Sequence, residues 1–337
     1  MNRTGVPAII VLISLISHCA SKDQIHPGRY PTPEPEGEHA ELFAPGIIST
    51  GMYERDLAMT PDGEEIYFSV VLARNNYTAI MVTKRMKDGW AEPEVTSFSS
   101  NPEWWDLEPC ISPDGQRFFF MSNRPDTASG DTTAGDEDIW VMERKDGGWG
   151  MPQNLGEPVN SEAEEYFPSI TTDGTLYFTR QEPESPVGFI MRSRLKDGEY
   201  QEPVRLPSHV NSGQSRYNAF IAPDESYLIL PIYGRDDSYG ATDYYICFRD
   251  TADNWTEPVN LGPQVNSGAP GEYSPYVSPD GVYLFFMSDR LPAAGQQPTQ
   301  LSRRFFEQMH RSPQNGNPDI YWIKTAVWED LKTGLRE

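Results

Sequence analysis

Charged side chains that recur at one position of a repeated pattern are the residues of this chain with the clearest potential for chemistry. Each lies eight residues before the aspartate of a tight turn, and a second set, all arginine, follows the strand after that turn. Carboxylate and guanidinium groups of this kind either pair with each other or bind a cation, a carboxylate or hydroxyl groups. The first set is Glu54, Asp106, Glu165, Arg216 and Glu272, and the second is Arg74, Arg124, Arg180, Arg235 and Arg290.

Two interpretations of these charges stay open. In one, the charges pair and lock the loops of adjacent repeats. In the other, some stay free to bind a cation or a polar ligand, and Arg216, the odd member, can hold a carboxylate through two hydrogen bonds. Trp105 adds an aromatic surface suited to sugar rings. The predicted ligand-binding residues are Glu54, Asp106, Glu165, Arg216, Glu272, Arg124, Arg290 and Trp105.

Five sequence repeats position these residues. The turn aspartates are Asp62, Asp114, Asp173, Asp224 and Asp280, and their spacing of 51–59 residues is typical of propeller blades. In each repeat a short strand of small residues precedes the turn, an apolar and aromatic strand follows it, and two more strands come after. We predict an all-β chain folded as a single β-propeller of five four-stranded blades, with six blades, one degenerate, as the alternative. The innermost strands are predicted at Leu57–Thr60, Glu108–Ser112, Phe167–Thr171, Asn218–Ala222 and Ser274–Ser278.

The order of strands predicts where the charged sets lie. Successive strands of a blade run in opposite directions, so the loop entering the innermost strand and the loop leaving the second strand share one face. We therefore expect the first charged set to ring a mouth of the central channel, with the arginines beside it. Closure of the ring is predicted to come from residues 42–50, which resemble the segments after three outer strands. Trp328–Leu331 is the alternative closing strand.

Composition limits the partners. The chain has a formal net charge of −23 and 37% hydrophobic residues. This acidity disfavours nucleic acid and anionic membrane surfaces, because phosphate binding needs clustered lysine and arginine. It suits cations, basic protein patches and neutral ligands. Cys110 and Cys247 fall on strands of different repeats and are predicted to be buried free thiols.

The amino-terminal segment has the features of an export signal. Residues 1–18 contain Arg3 and an apolar stretch from Val6 to Ile16 that is too short to span a bilayer. The sequence Ile16-Ser17-His18-Cys19 resembles the lipobox of bacterial lipoproteins, which implies that Cys19 is acylated. An ordinary secretory signal is the alternative. Residues 19–41 are predicted to be a Pro-rich tether, and residues 42–337 the propeller domain.

The repeated unit itself indicates a family. The segments 112–124 and 278–290, with Ser-Pro-Asp-Gly, an apolar strand and Ser-Asn/Asp-Arg, resemble the WD-like (PD40) repeats of TolB-type β-propellers. The resemblance covers about residues 42–330. It implies the propeller fold and a place among periplasmic scaffold proteins, peptidase-associated propellers and lyases. With the export signal it predicts an outer-membrane-anchored lipoprotein in the envelope of a Gram-negative bacterium, facing the periplasm or the surface.

Two functions follow from these patterns. The first is a non-catalytic, monomeric binding module for an envelope protein or an oligosaccharide, acting through its channel-mouth face. The second is a glycoside hydrolase or lyase that uses carboxylates at that mouth, for which no pattern selects a pair. Its candidates are Asp56, Asp106, Glu108, Glu165 and Glu272.

Two insertions complete the predicted face. No cofactor is predicted, although the acidic loop Asp126–Asp138 carries oxygen ligands suited to Ca²⁺, with a mobile acidic loop as the other interpretation. A helix at Thr299–Arg311 is predicted to cap part of the face, with Phe305 or Phe306 lining a pocket.

Overall fold

In a computed structural model that describes residues 29–127, 130, 132–292 and 300–333, the chain forms five main antiparallel sheets, each built from one sequence repeat. The innermost strands of neighbouring sheets contact one another in cyclic order, and the fifth contacts the first. This closed ring confirms the all-β fold and the five-bladed propeller. Among the described residues, no helix combines the length and apolarity needed to cross a bilayer.

The strands run from the channel outward in chain order. Blade 1 contains Tyr53–Met59, Glu65–Leu72, Tyr77–Met86 and Glu94–Val95. Blade 2 contains Asp106–Ile111, Arg117–Ser122, Asp138–Lys145 and Gln153–Asn154. Blade 3 contains Glu164–Ile170, Leu176–Gln181, Phe189–Ser193 and Val204–Arg205. Blade 4 contains Ser215–Arg216 with Phe220–Ile221, then Tyr227–Tyr233, Thr242–Phe248 and Val259–Asn260. Blade 5 contains Glu272–Val277, Tyr283–Ser288, Asp319–Lys324 and, from the start of the chain, Glu41–Leu42.

Shorter elements decorate this frame. Two-residue strands extend the outer hairpins at Gly89–Trp90, Gly148–Trp149, Leu195–Lys196 and Glu199–Tyr200. Short helices occur at Ser97–Ser99, Arg303–Met309, Thr325–Trp328 and Glu329–Thr333.

The turn aspartates act as their sequence predicts. In every blade the aspartate accepts a hydrogen bond from the backbone N–H two residues later, as Asp114 does from Gln116 at 3.0 Å. This local bond fixes the turn that joins the first two strands of each blade. The repeated aspartates thus serve the fold.

Each innermost strand begins earlier than predicted and is interrupted by a left-handed residue. The five residues concerned have φ of 51–65°, a conformation that is costly for side chains other than glycine. The strand register shifts at this point in four blades, and in blade 4 the strand divides in two. The residues are Asp56, Glu108, Phe167, Asn218 and Ser274. The bulge turns these side chains towards the axis and starts the strand anew.

The ring closes through the amino-terminal part of the chain. Glu41–Leu42 pairs with the third strand of blade 5, and the N–H of Phe43 donates to the carbonyl of Ile320 at 2.8 Å. This is the closure predicted from residues 42–50. Trp328, from the alternative segment, instead packs as a buried residue of a short helix. Of the predicted tether, residues 19–28 lie outside the described residues, and Tyr30 is buried against blade 5.

The core lies in the seams between blades. Aromatic side chains fill these seams, as where Phe43, Phe285 and Trp322 pack together with ring centroids 4.8–5.7 Å apart. Both mature-domain cysteines are free, with Cys247 buried and Cys110 partly buried.

Candidate functional site

The predicted ring of charges is buried. Glu54, Glu165 and Glu272 are 0% exposed, Asp106 is 1% exposed and Arg216 is 5% exposed. The four acids point into the seam between their own blade and the preceding one, because each contacts a serine or threonine of the connection that leaves the preceding blade. Arg216 lies at the same seam, over Phe189 of blade 3. The prediction that the first charged set forms an open ring around the channel mouth is therefore wrong.

Three of the acids form ion pairs with the loop arginine of their own blade, as the first of the two interpretations expects. Glu272 accepts hydrogen bonds from the N–H of Ser267 at 3.0 Å and from its hydroxyl at 2.7 Å, and it pairs with Arg290 at 2.7 Å. Glu165 repeats this arrangement with Ser161 and Arg180.

Asp106 forms the equivalent ion pair with Arg124. The predicted arginines Arg124 and Arg290 therefore fasten the loop after the second strand to the loop before the first. Burial raises the pKa of Glu165 to about 7, although Ser161 and Arg180 oppose the shift. A ligand-binding role for the five residues of the first charged set, and for Arg124 and Arg290, stays a prediction.

Glu54 is an exception in blade 1. It accepts a hydrogen bond from the Thr50 hydroxyl, while Arg74, the arginine of its blade, is exposed and forms no ion pair among the described residues. Its second carboxylate oxygen has no hydrogen-bond partner, and neither has Oδ1 of buried Asp319. Burial, with a contribution from the charge of Asp319, raises the pKa of Glu54 to about 7.

Arg216 is the other exception. Its guanidinium lies over the ring of Phe189, 4.3 Å from the centroid, and it forms no ion pair with any described residue. Arg235, the loop arginine of its blade, pairs with Asp237 at 3.0 Å instead. Blade 4 thus has a buried cation where every other blade has a buried acid.

A hydrogen-bonded network crosses the channel through the bulge residues. Arg55 pairs with Asp56 at 2.7 Å and with Glu108 at 2.6 Å, and Glu108 accepts the N–H of Phe167 at 2.6 Å. On the other side Asn218 donates to Ser274 at 3.2 Å, and Ser274 donates to Asp56. The network contacts all five blades, and burial raises the pKa of Glu108 to about 8 against the opposing charge of Arg55.

Sequence reasoning missed this network as a set. Asp56 and Glu108 were proposed only as candidate carboxylates, because residue type varies from acid to phenylalanine, asparagine and serine at this position. The five bulge residues share a left-handed backbone conformation but differ in side chain.

Four tyrosines lie on the same face as Arg55, which interacts with three of them, Tyr53, Tyr217 and Tyr273. The tyrosine rim consists of Tyr53, Tyr166, Tyr217 and Tyr273, all partly exposed and supplied by four blades. Arg55 lies over the ring of Tyr273 at 4.9 Å, and the rings of Tyr217 and Tyr273 meet edge-on at 6.0 Å. Three of these tyrosines directly follow members of the charged set. That column of tyrosines is the signal that could have located the mouth.

Trp105 also lies near this face and is partly exposed, and its backbone N–H donates to the side-chain oxygen of Asn123. Its neighbour Trp104 packs near the Arg124 guanidinium, 6.0 Å from its ring.

An apolar cavity occupies the channel at the opposite face. It has a volume of about 260 Å³ and is lined by turn prolines such as Pro61, Pro113 and Pro279 and by apolar residues of the innermost strands. Asp56 and Phe167 lie at its inner end. The axial network therefore separates an apolar cavity from a polar, aromatic mouth.

The structure describes each of the two insertions in part. The helix spans Arg303–Met309, within the predicted range 299–311, and buries none of its residues. Phe305 is partly exposed and Phe306 is 58% exposed. Part of the acidic loop Asp126–Asp138 lies outside the described residues. Within residues 29–127, 130, 132–292 and 300–333, no group of three or more His, Cys, Asp or Glu side chains is placed to hold a metal ion.

Solved structures with a similar fold come from several functional classes. TolB from Acinetobacter baumannii is 16% identical with a TM-score of 0.44, over 80% of this chain and 54% of the TolB chain, about half of its length. An arabinanase from Bacillus subtilis is 13% identical with a TM-score of 0.48, over 81% of this chain and 94% of that one. A glycoside hydrolase is 10% identical with a TM-score of 0.49, over 85% and 90%.

No protein-family model matches the chain, and no curated protein matches it by sequence. The likenesses to solved structures assign no activity at these identities and scores. The five-bladed architecture rests on the sheet order described above.

Proposed function

We propose that this protein is a non-catalytic, monomeric binding module that takes an oligosaccharide on the tyrosine rim of its channel mouth. The observation that carries the proposal is the convergence of four partly exposed tyrosines around Arg55. Tyrosine combines an apolar ring, which stacks on sugar faces, with a hydroxyl that hydrogen-bonds sugar hydroxyls. A basic envelope protein is the alternative ligand, in line with the net charge of −23.

The carboxylates at the axis favour binding over catalysis. Asp56 and Glu108 are both tied to Arg55, so each already serves the structure of the network. A glycosidase needs one carboxyl group that gives up a proton and a second that acts as base or nucleophile. The raised pKa of Glu108, about 8, is the one observation that favours the enzyme alternative, because it keeps that acid protonated near neutrality.

We further propose that the protein is a TolB-like (PD40) envelope lipoprotein anchored to the outer membrane through acylated Cys19. The support is the sequence of residues 1–19 and the repeat units 112–124 and 278–290. Cys19 lies outside the described residues. A Ca²⁺ ion in the acidic loop Asp126–Asp138 remains part of this proposal, supported by its oxygen ligands alone.

A thermal-shift screen tests the binding proposal. We expect oligosaccharides to raise the melting temperature of residues 20–337, because a ligand that binds only the native state stabilises it. Tyr273→Ala should weaken binding about tenfold or more, as truncation of an aromatic anchor does. Tyr77→Ala, at a tyrosine that is 59% exposed and outside the rim, is the matched control.

The outcomes separate the alternatives. A flat response to every sugar, with a partner recovered from membranes, would replace the glycan with a protein. Release of reducing ends that stops in Glu108→Gln would establish the enzyme instead.

A further inference from the structure

One position in the seam between blades 3 and 4 has a positive charge where the other four seams have an acid. At the position of Arg216 the other blades have Glu54, Asp106, Glu165 and Glu272. Each of these acids has a partner from the preceding connection or an arginine of its own blade. The sign of the charge at this one position is therefore reversed in blade 4.

Arg216 is buried without a counter-charge. It is 5% exposed, its Nε has no hydrogen-bond partner, and no carboxylate among the described residues pairs with it. A buried ion without a partner is costly, so such a group is commonly paired with a ligand. Burial and the nearby charge of Arg205 lower the pKa of Arg216.

A second unpaired cation lies at the same ring. Arg205, which is exposed, lies over Phe189 at 3.5 Å from the centroid, and it too forms no ion pair with a described residue. The two guanidinium groups share one aromatic ring and repel each other. An anion that contacts both would remove this repulsion.

The pair of arginines lies next to the tyrosine rim. Phe189 follows Gly188, and a Cβ atom at Gly188 would lie 3.1 Å from the Tyr166 hydroxyl and 2.6 Å from Thr179. The backbone therefore passes close to Tyr166 at this point. Phe189, which follows Gly188, and Arg216, which directly precedes Tyr217, therefore both adjoin residues of the rim.

We propose that Arg216, Arg205 and Phe189 form a carboxylate-binding subsite, and that the oligosaccharide on the tyrosine rim carries a uronic acid seated there. A planar guanidinium binds a planar carboxylate through two parallel hydrogen bonds. Phe189 holds the two guanidinium groups in place. The identity of the sugar rests on the proposed function, whereas the carboxylate site does not.

Calorimetric titration with a galacturonate trimer and a neutral galactose trimer tests the subsite. We expect the wild type to bind the acidic trimer about 10–100-fold more tightly, the range for hydrogen bonds to charged groups. Arg216→Glu should abolish this preference and keep the melting temperature. This substitution gives blade 4 an acid at the position where the other four blades have one. The acid would lie beside Ser212 and Arg235, whose Oγ and Nη1 atoms are 3.3 Å apart.

Two further variants complete the design. Arg205→Gln changes an exposed side chain and should reduce the preference without affecting folding, which keeps the test valid if Arg216→Glu is unstable. Arg74→Gln removes an exposed arginine of blade 1, on the loop that corresponds to that of Arg235 in blade 4, and should change nothing.

Failure of this subsite differs from failure of the proposed function. Equal affinity of the wild type for both trimers, or a preference retained in a folded Arg216→Glu variant, would overturn the subsite and leave the glycan proposal standing. If neither trimer binds, the glycan proposal fails, and sodium glucuronate decides the subsite. A melting shift in the wild type that is absent in Arg216→Glu supports it, and no shift refutes it.

Discussion

At the scale of residues, Glu54 and Asp319 are buried acids that lack a hydrogen-bond or ion-pair partner present in other blades. In blade 2 the amide of Asn154 donates to Asp138 at 2.7 Å, and in blade 4 Asn260 does the same for Asp243 at 2.8 Å. The closing strand of blade 5 has Leu42 at the matching position, so Asp319 lacks this donor. Burial raises its pKa to about 7.

Both raised pKa values predict a loss of stability with rising pH. Between about pH 5 and pH 7 the folded state holds protons on Glu54 and Asp319 that the unfolded chain has released, so the free energy of unfolding falls over this range. Glu54→Gln removes the charge that must be buried at higher pH. We expect this variant to melt higher than the wild type at pH 8 and equally at pH 5.

Melting curves at the two pH values check this expectation, with Glu94→Gln, on an exposed residue of the outer strand of blade 1, as the control. An equal gain at both pH values would assign the effect to packing and contradict the titration.

At the scale of elements, the two-residue strand Glu41–Leu42 and the residue after it hold the ring closed. Phe43 is fully buried against Phe285 and Trp322. We expect Phe43→Ala to lower the free energy of unfolding by about 3–5 kcal/mol, the range for large-to-small changes in a core. Denaturant titration measures this loss.

Val95→Ala provides the comparison, because Val95 lies in the matching outer strand of blade 1 and is 47% exposed. Its effect should stay within about 0.5 kcal/mol. If both variants lost a similar free energy of unfolding, the closing segment would contribute no more to stability than an ordinary outer strand.

The turns and the blade count could be predicted from the sequence because the Asp that fixes each turn acts locally. The starts of the innermost strands could not be, because the left-handed conformation at Glu108 or Phe167 leaves no mark on residue type. The charged column was recognised, but its burial depends on Ser161 and Ser267, which belong to the preceding blade. Arg216 stood out by type alone, whereas its neighbours Phe189 and Arg205 meet it only in the folded ring.

At the scale of the whole molecule, charge separates two ways of reaching a membrane. A net charge of −23 repels anionic lipid headgroups, so the protein body has no electrostatic attraction to such a surface. Membrane association would then depend on the acyl chain at Cys19. We expect Cys19→Ala to move the protein from the membrane fraction to the soluble fraction, as measured by fractionation and immunoblotting.

Cys110→Ala, which changes a partly buried thiol of the propeller, should leave the protein with the membranes. A Cys19→Ala protein that still sediments with membranes after a salt wash would show that a partner, and no lipid, holds it there.

Closure by the first described strand also sets when the ring can form during synthesis. The Ser49 hydroxyl donates to the carbonyl of Ile320, a residue 271 positions later in the chain. A ribosome that has made only four blades has therefore produced an open arc. In this arc the strand Glu41–Leu42 lacks its backbone partner, and the apolar faces of blades 1 and 4 that pack on blade 5 stay exposed. Residues 41–49, which are translated before the first strand of blade 1, are thus placed last, and a product truncated after blade 4 keeps both blade faces exposed.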